Sequence, residues 1–193
     1  MARASARSLG FSRGSNSDVV WASLSDFMPS QLSLKKRMND PEKINLRQAT
    51  ISDLEILEPL FDAYRQFYRK PADLDLARQF LRERFQHNQS IIFLALQGDS
   101  GIGFTQLYPS YSSASAARIL ILNDLFVAPQ ARRKRVGSML LAAAARFGEE
   151  IGVVRLTLTT EATNTQAQAL YESEGWVQQT DFYTYNLALP PAP

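Results

Sequence analysis

Four consecutive cations, Arg132, Arg133, Lys134 and Arg135, stand directly before Val136, Gly137 and Ser138, where an Ala- and Leu-rich helical pattern begins. The first turn of a helix carries unpaired N–H groups and a partial positive charge, so a basic loop feeding into it can wrap a phosphate or pyrophosphate. Gly137 would let the backbone approach such an anion with no Cβ in the way. The same run could instead be a solvated surface or a nuclear-import patch. Its position favours the anion site, because it lies between an apolar strand pattern and a helix start rather than in a tail. A second group sits in NTQAQALYESEGW. Asn164 stands at a helix start, where its side chain can cap and also face a ligand, while Ala167, Leu170 and Tyr171 fall on one face. Tyr171 is the candidate functional group there; an aromatic at helical spacing can equally be core.

These residues need a frame to hold them. From Ile44 the chain reads as a short strand (INLRQAT), followed by a capping signal, Thr50 with Asp53 three residues on. Leu54, Leu57, Phe61, Tyr64 and Phe67 or Tyr68 then recur at helical spacing up to Pro71. A second amphipathic helix over 72–86 presents Leu76, Phe80, Leu81 and Phe85. IIFLALQ and IGFTQLYP flank a Gly-Asp-Ser-Gly turn and read as a β-hairpin. The longest apolar strand covers 118–127, a helix covers 138–150 up to Gly152, and the strand VRLTLTT, a helix from Thr165 to Glu174 and a last alternating strand FYTYNLAL follow. This order predicts an α/β fold with a mixed, mostly antiparallel central sheet and helices on both faces.

Composition narrows the chemistry. The 193 residues include no cysteine and one histidine, His87, which rules out disulfides, thiolate sites and a cysteine nucleophile and leaves little material for a metal site; no metal is expected. Residues 1–37 hold six basic groups against Asp18 and Asp26, a surplus of +4, so the +2 chain leaves −2 on the remainder. A body without basic surplus argues against a general nucleic-acid partner. No apolar run is long enough to cross a bilayer and no secretory h-region is visible, so no membrane partner is expected and a cytoplasmic location is. Residues 1–43 lack apolar periodicity and read as a poorly ordered tail or extension ahead of one domain, 44–193. The Arg- and Ser-rich start also fits an organellar transit peptide, and Met38 could be the natural start.

Together the two blocks, at this spacing, closely resemble the GCN5-related N-acetyltransferase (GNAT) family over about residues 44–189. In that family a strand ending like NDLFVAP precedes a loop of the type Arg/Gln-x-x-Gly-x-Gly/Ala that binds the pyrophosphate of acetyl-CoA. Arg132, Arg135 and Gly137 match it here, and Arg135 stands where the family usually has its first loop glycine. The resemblance implies the GNAT-like acyl-CoA N-acyltransferase fold and acetyl-CoA as co-substrate. The implied cofactor contacts are Leu125, Phe126 and Val127 on the strand, Arg132, Arg133, Lys134, Arg135, Val136, Gly137 and Ser138 in the loop and helix start, and Asn164 and Ala167 beyond. LYE-x-x-GW looks like the family's next motif, which implies Tyr171 as the acid that protonates the departing thiolate.

With no cysteine, direct attack of an acceptor amine on the thioester in a ternary complex is the expected route to N-acetylation. An ammonium must first lose a proton, and Asp124 is the nearest acid to the expected centre. Strand alternation leaves open whether its side chain faces that centre. Asn123 can position a water but cannot take a proton, and Glu161 is the reserve base. Tyr64, Tyr68 and Tyr108 are the expected lining for a small-molecule or peptide amine, through cation–π contacts or simply as packing. Arg135 and Asn123 also suit a second reading, a non-catalytic acyl-CoA-binding regulatory module. A homodimer through the C-terminal strand is expected by analogy only.

Overall fold

The computed structural model describes residues 43–190. The tail, transit-peptide and start-site expectations fall almost wholly on residues 1–42 and lie outside the described residues. One five-stranded sheet in the order β1-β2-β3-β4-β5 organises the rest. Its strands are β1 (Ile44–Gln48), β2 (Ile91–Gln97), β3 (Ser100–Ser112), β4 (Ala117–Val127) and β5 (Leu156–Thr157). The first four pair antiparallel and β5 pairs parallel with β4. Helices α1 (Leu54–Phe67) and α2 (Leu74–Gln86) cover one face, α3 (Val136–Glu150) the other, and α4 (Thr165–Ser173) follows β5. This is the mixed sheet with helices on both faces that the sequence predicts.

Strand alternation divides the apolar residues between two cores. Ile92, Leu94, Phe104 and Phe126 meet Leu57, Leu60, Phe61 and Leu81 of α1 and α2. Phe93, Ile102, Leu107, Leu120 and Leu122 meet Val136, Leu140, Leu141 and Ala144 of α3. Within α2 the buried stripe is Ala77 and Leu81; Leu76, expected to face the core, is exposed in the first turn. One salt bridge and one buried carboxylate fix the helical layer. Arg78 of α2 binds Glu58 of α1 through Nε and Nη2 at 2.6 and 2.9 Å. Asp62, buried in α1, accepts from the Asp73 N–H at 2.9 Å, and Asp73 in turn caps α2. The connection between the helices is thereby held, and with it the last turn of α1, which carries Tyr64 and Tyr68.

Three expectations at the C-terminal side are corrected. The strand VRLTLTT shrinks to Leu156–Thr157, and α3 begins two residues earlier than its apolar period suggests. The segment FYTYNLAL forms no strand; Phe182, Tyr183, Tyr185, Leu187 and Leu189 are all exposed. Its period-2 pattern satisfies one face of a sheet, but a strand also needs a backbone edge to pair with, and β5 offers two residues. Among the described residues no helix is long and apolar enough to cross a membrane.

The capping signal at Thr50 forms as read, and it does more than cap. Asp53 accepts from the Thr50 N–H at 2.8 Å and takes both Arg47 Nη atoms at 2.7 and 2.6 Å, fastening the start of α1 to β1. The Arg47 guanidinium holds the Asp53 carboxyl down at about 2. A depressed folded pKa adds stability above the unfolded value of 3.8 and loses it as pH falls toward 2. Asp53→Asn is expected to cost about 1–2 kcal/mol in urea unfolding at pH 7, a figure discounted for the half-exposed arginine. The gap to the wild type should close between pH 4 and pH 2.

Candidate active site

β4 runs eleven residues but pairs with β5 only at Leu120–Leu156 and Ile121–Thr157. Beyond those pairs the strands part, and a cleft of about 430 Å³ opens between them. One wall is Leu122, Asn123, Leu125, Phe126 and Val127 of β4. The other is Thr159 and Thr160, after β5, with Ala167, Leu170 and Tyr171 of α4. The basic loop and the start of α3 close one end, and Tyr64, Phe67 and Tyr68 of α1 border the other side. The expected residues Tyr64, Tyr68, Asn123, Leu125, Phe126, Val127, Arg132, Arg133, Arg135, Val136, Gly137, Ser138, Asn164, Ala167 and Tyr171 all line this one cleft.

Three expected residues do not line it. Lys134 turns away, its Nζ 3.5 Å from Gln97 Oε1. Tyr108 stands half-buried on β3, one strand behind the wall. Asp124 is buried just beneath the surface. Thr159 and Thr160 line the cleft without having been singled out, since nothing in their types separates them from ordinary strand residues.

The loop is shaped as an anion cradle. Arg133 and Arg135 both have left-handed backbone, at φ 63° and 62°. Alternating a left-handed residue with its neighbours bends successive N–H groups to one side of the chain, a geometry that holds anions. The Met139 N–H donates to the Arg135 carbonyl, so the donors of Val136, Gly137 and Ser138 are those that the helix leaves free at its N-terminus. Among the described residues, none of the four cations enters an ion pair. At Gly137, which lines the cleft, an added Cβ would also lie 2.9 Å from Leu170 Cδ2. The missing side chain admits Leu170 of α4 against α3, and so sets the width of the cleft. Asn164 caps α4 as expected, its Oδ1 accepting from the Ala167 N–H at 3.2 Å.

The orientation of Asp124, left open by alternation, is decided by a bulge. Gln106 pairs with Asp124 and Leu107 with Leu122, leaving Asn123 as an extra residue on β4. Leu122 therefore faces the α3 side while Asp124 and Phe126 face α1. The buried Thr105 hydroxyl donates to the Asp124 carbonyl at 2.9 Å and pins the register. Burial pushes the Asp124 carboxyl above its ordinary range, against the pull of the nearby Tyr64 hydroxyl and of the Asn123 amide, which donates to it at 3.1 Å; the Tyr64 hydroxyl itself donates to the Asn123 carbonyl at 3.5 Å. Burial likewise raises Tyr64, with the Asp124 charge adding to it, and raises Tyr171, with Tyr68 adding to it. A carboxylate that holds its proton more tightly than usual and a phenol kept neutral to high pH suit general base and general acid roles.

A cleft between splayed strands, a basic loop at a helix start and titratable groups raised by burial are features an acyl-transfer site would use. The chain matches the acetyltransferase (GNAT) family over residues 57–176 and belongs to it. It is 47% identical over 147 residues, 76% of this chain and 99% of the other, to the uncharacterized N-acetyltransferase YhfO of Bacillus subtilis (strain 168). A crystal structure of a probable acetyltransferase matches with a TM-score of 0.72 at 40% identity, covering 77% of this chain and 99% of that one. An aminoglycoside N-acetyltransferase solved in complex with CoA shares the fold, with a TM-score of 0.65 at 22% identity over 75% of this chain and 95% of that one. The protein is an acetyltransferase.

Left-handed backbone costs an L-residue about 1–2 kcal/mol, and arginine has no local side-chain hydrogen bond to offset it. Arg135→Gly removes that strain but frees the unfolded chain by about 0.4–1 kcal/mol. The expected net gain is about 0.5–1 kcal/mol, read as a rise in Tm of the ligand-free protein.

Proposed function

We propose that this enzyme transfers the acetyl group of acetyl-CoA to a primary amine of a small molecule or peptide, by direct attack with both substrates bound. The observation that carries the reading is the pair of left-handed arginines at one end of the cleft, opening α3, with a buried carboxylate on the strand that forms one wall. CoA bound to an enzyme of the same fold supports the choice of co-substrate. Acetyl-CoA would supply the activated thioester carbon. The N–H groups of residues 136–138, with Arg132, Arg133 and Arg135, are suited to its pyrophosphate by sign of charge and by the curvature of the loop.

The unpaired side of β4 along residues 122–127 offers backbone N–H groups to the acyl oxygen, fixed in place before reaction. Asp124 takes the proton of the incoming ammonium, through a water held by Asn123 where the amine stands off. Tyr171, kept neutral by burial, gives its proton to the departing sulfur. Tyr64, Phe67 and Tyr68 wall the acceptor side and can face a cation with their rings.

Thiol release from acetyl-CoA over a panel of amines tests the reading; cofactor binding with no thiol release from any amine would refute it. Tyr171→Phe should leave the acetyl-CoA-induced rise in Tm intact while lowering kcat about 100-fold at neutral pH. Because the Asp124 carboxyl is raised, kcat/KM should climb with pH across a limb above the ordinary carboxylate range, and Asp124→Asn should abolish that limb. The same substitution removes a buried charge. An upward-shifted carboxyl loses folding stability as pH rises above the unfolded 3.8, so Asp124→Asn should gain Tm over the wild type at pH 7 but not at pH 3.5. Arg135→Gly should weaken acetyl-CoA binding despite its gain in Tm, since it removes a guanidinium from the cradle; tighter binding would show that the arginine is merely tolerated.

A further inference from the structure

The turn that joins β4 to the basic loop brings one cation back onto the wall of the cleft. The Ala128 N–H donates to the Ile102 carbonyl at 2.9 Å, so Gly103 and Val127, which face each other on β3 and β4, form a pair with no hydrogen bond between them. The N–H and C=O of Val127 therefore point away from β3, toward the side where β5 has already ended, and Val127 lines the cleft. The chain then makes a single 3-10 turn, Pro129–Ala131, anchored by the fully buried Ala131. That turn doubles back far enough for Arg132 Nε to donate to the Val127 carbonyl at 3.3 Å. Arg132, Arg133 and Arg135 all line the cleft, and among the described residues Arg132 is the one of the three whose side chain bonds to its strand wall.

A carbonyl on the open edge of a strand is where an extended ligand with amide N–H groups would pair. The arm of an acyl-CoA is such a ligand, and in the free protein the acceptor at Val127 is already taken. We propose that Arg132 is a donor-selecting latch: it holds the Val127 carbonyl until an anion at the loop draws its guanidinium away, and so couples the phosphates of the donor to the pairing of its amide arm. A guanidinium bonds a phosphate more strongly than a neutral carbonyl, since both partners are charged and its fork matches two oxygens. A donor with phosphates opens the latch as it binds. A donor with the same amides and no phosphate has to displace the arginine unaided, and binds more weakly by the worth of that bond. Selection thus acts through the phosphate-bearing end of the donor, while the gated group sits on the strand. This proposal rests on the acetyl-transfer reading and adds how its donor is chosen.

The test compares acetyl-CoA with S-acetylpantetheine, which keeps the amides and lacks every phosphate, in the thiol-release assay with an amine that the wild type acetylates. Arg132→Ala should lower kcat/KM about tenfold for acetyl-CoA and raise it about threefold, through KM, for S-acetylpantetheine, the scale of one exposed charge-assisted hydrogen bond. Arg133→Gln, which removes a cation of the loop that has no bond to β4, should lower acetyl-CoA use without that gain. An Arg132 that only anchors phosphate would leave S-acetylpantetheine unaffected in Arg132→Ala, and that result overturns the proposal, as does an equal gain in Arg133→Gln. Calorimetry gives a second readout that needs no turnover: inorganic pyrophosphate should tighten pantetheine binding to the wild type about threefold and do nothing for Arg132→Ala. If no amine releases thiol, the acetyl-transfer reading fails. The latch then stands or falls on this coupling, and a wild type whose hold on pantetheine ignores pyrophosphate overturns it.

Discussion

The parting of β4 from β5 after Ile121 and Thr157 is the constraint from which the site follows. A sheet ordinarily satisfies its backbone groups strand by strand, and leaving one side of a central strand unpaired over residues 122–127 is costly unless something else meets those groups. Two features hold the strands apart. Leu170 of α4 occupies the space that a side chain at residue 137 would take, so α4 seats against α3 and not against β4. The bulge at Asn123 bends β4 just where pairing stops. The result is a slot whose wall is peptide backbone, open to a long, thin ligand at its mouth and to a small one at its end.

The same bulge makes the chemistry available. With regular alternation through residue 123, Leu122 and Asp124 would share a face, and the carboxylate would point into the apolar layer against α3. One extra residue sends it to the side where α1 presents Tyr64. α1 is held there by means unrelated to catalysis: Arg47 on Asp53 at its start, Arg78 on Glu58 in its middle, Asp62 at the turn that follows. Positioning is thus distributed over ion pairs at some distance from the reacting groups, while the groups themselves are set in surroundings that disfavour their charged forms. Asp124 is destabilising where it sits, and the two cores around it must compensate.

Much of this was legible in the sequence. Apolar period gave four of the five strands and all four helices to within a few residues at their ends, because each of those elements buries one face and leaves the pattern in place. The cations before Val136, the cap at Asn164 and Tyr171 were placed together by their relation to those elements. What could not be read depends on contacts that one residue does not report. Left-handed backbone is announced by glycine, and at Arg133 and Arg135 it is imposed by the loop on arginine. The bulge at Asn123 is a property of pairing between β3 and β4, with no local signature in LILNDLFV. That the missing Cβ of Gly137 also makes room for Leu170 of α4 is a packing fact between helices that the glycine alone does not report. FYTYNLAL shows the converse, alternation without an edge to pair with.

The basic loop illustrates why position outweighs composition. Four cations in a row are common, and their charge alone fits nucleic acid, anionic surfaces or solvent equally well. Here two of the four adopt a backbone that costs about 1–2 kcal/mol each, none is neutralised by a described acid, and the helix they open leaves three N–H groups free. Mutual repulsion and unpaired donors would both be relieved by the same event, the arrival of a compact polyanion. A patch that merely kept the protein soluble would need neither the strained backbone nor the helix start. Strain held at a site in the free protein is work already done toward binding, so part of what an anionic ligand would otherwise have to spend on ordering the loop is met by the fold.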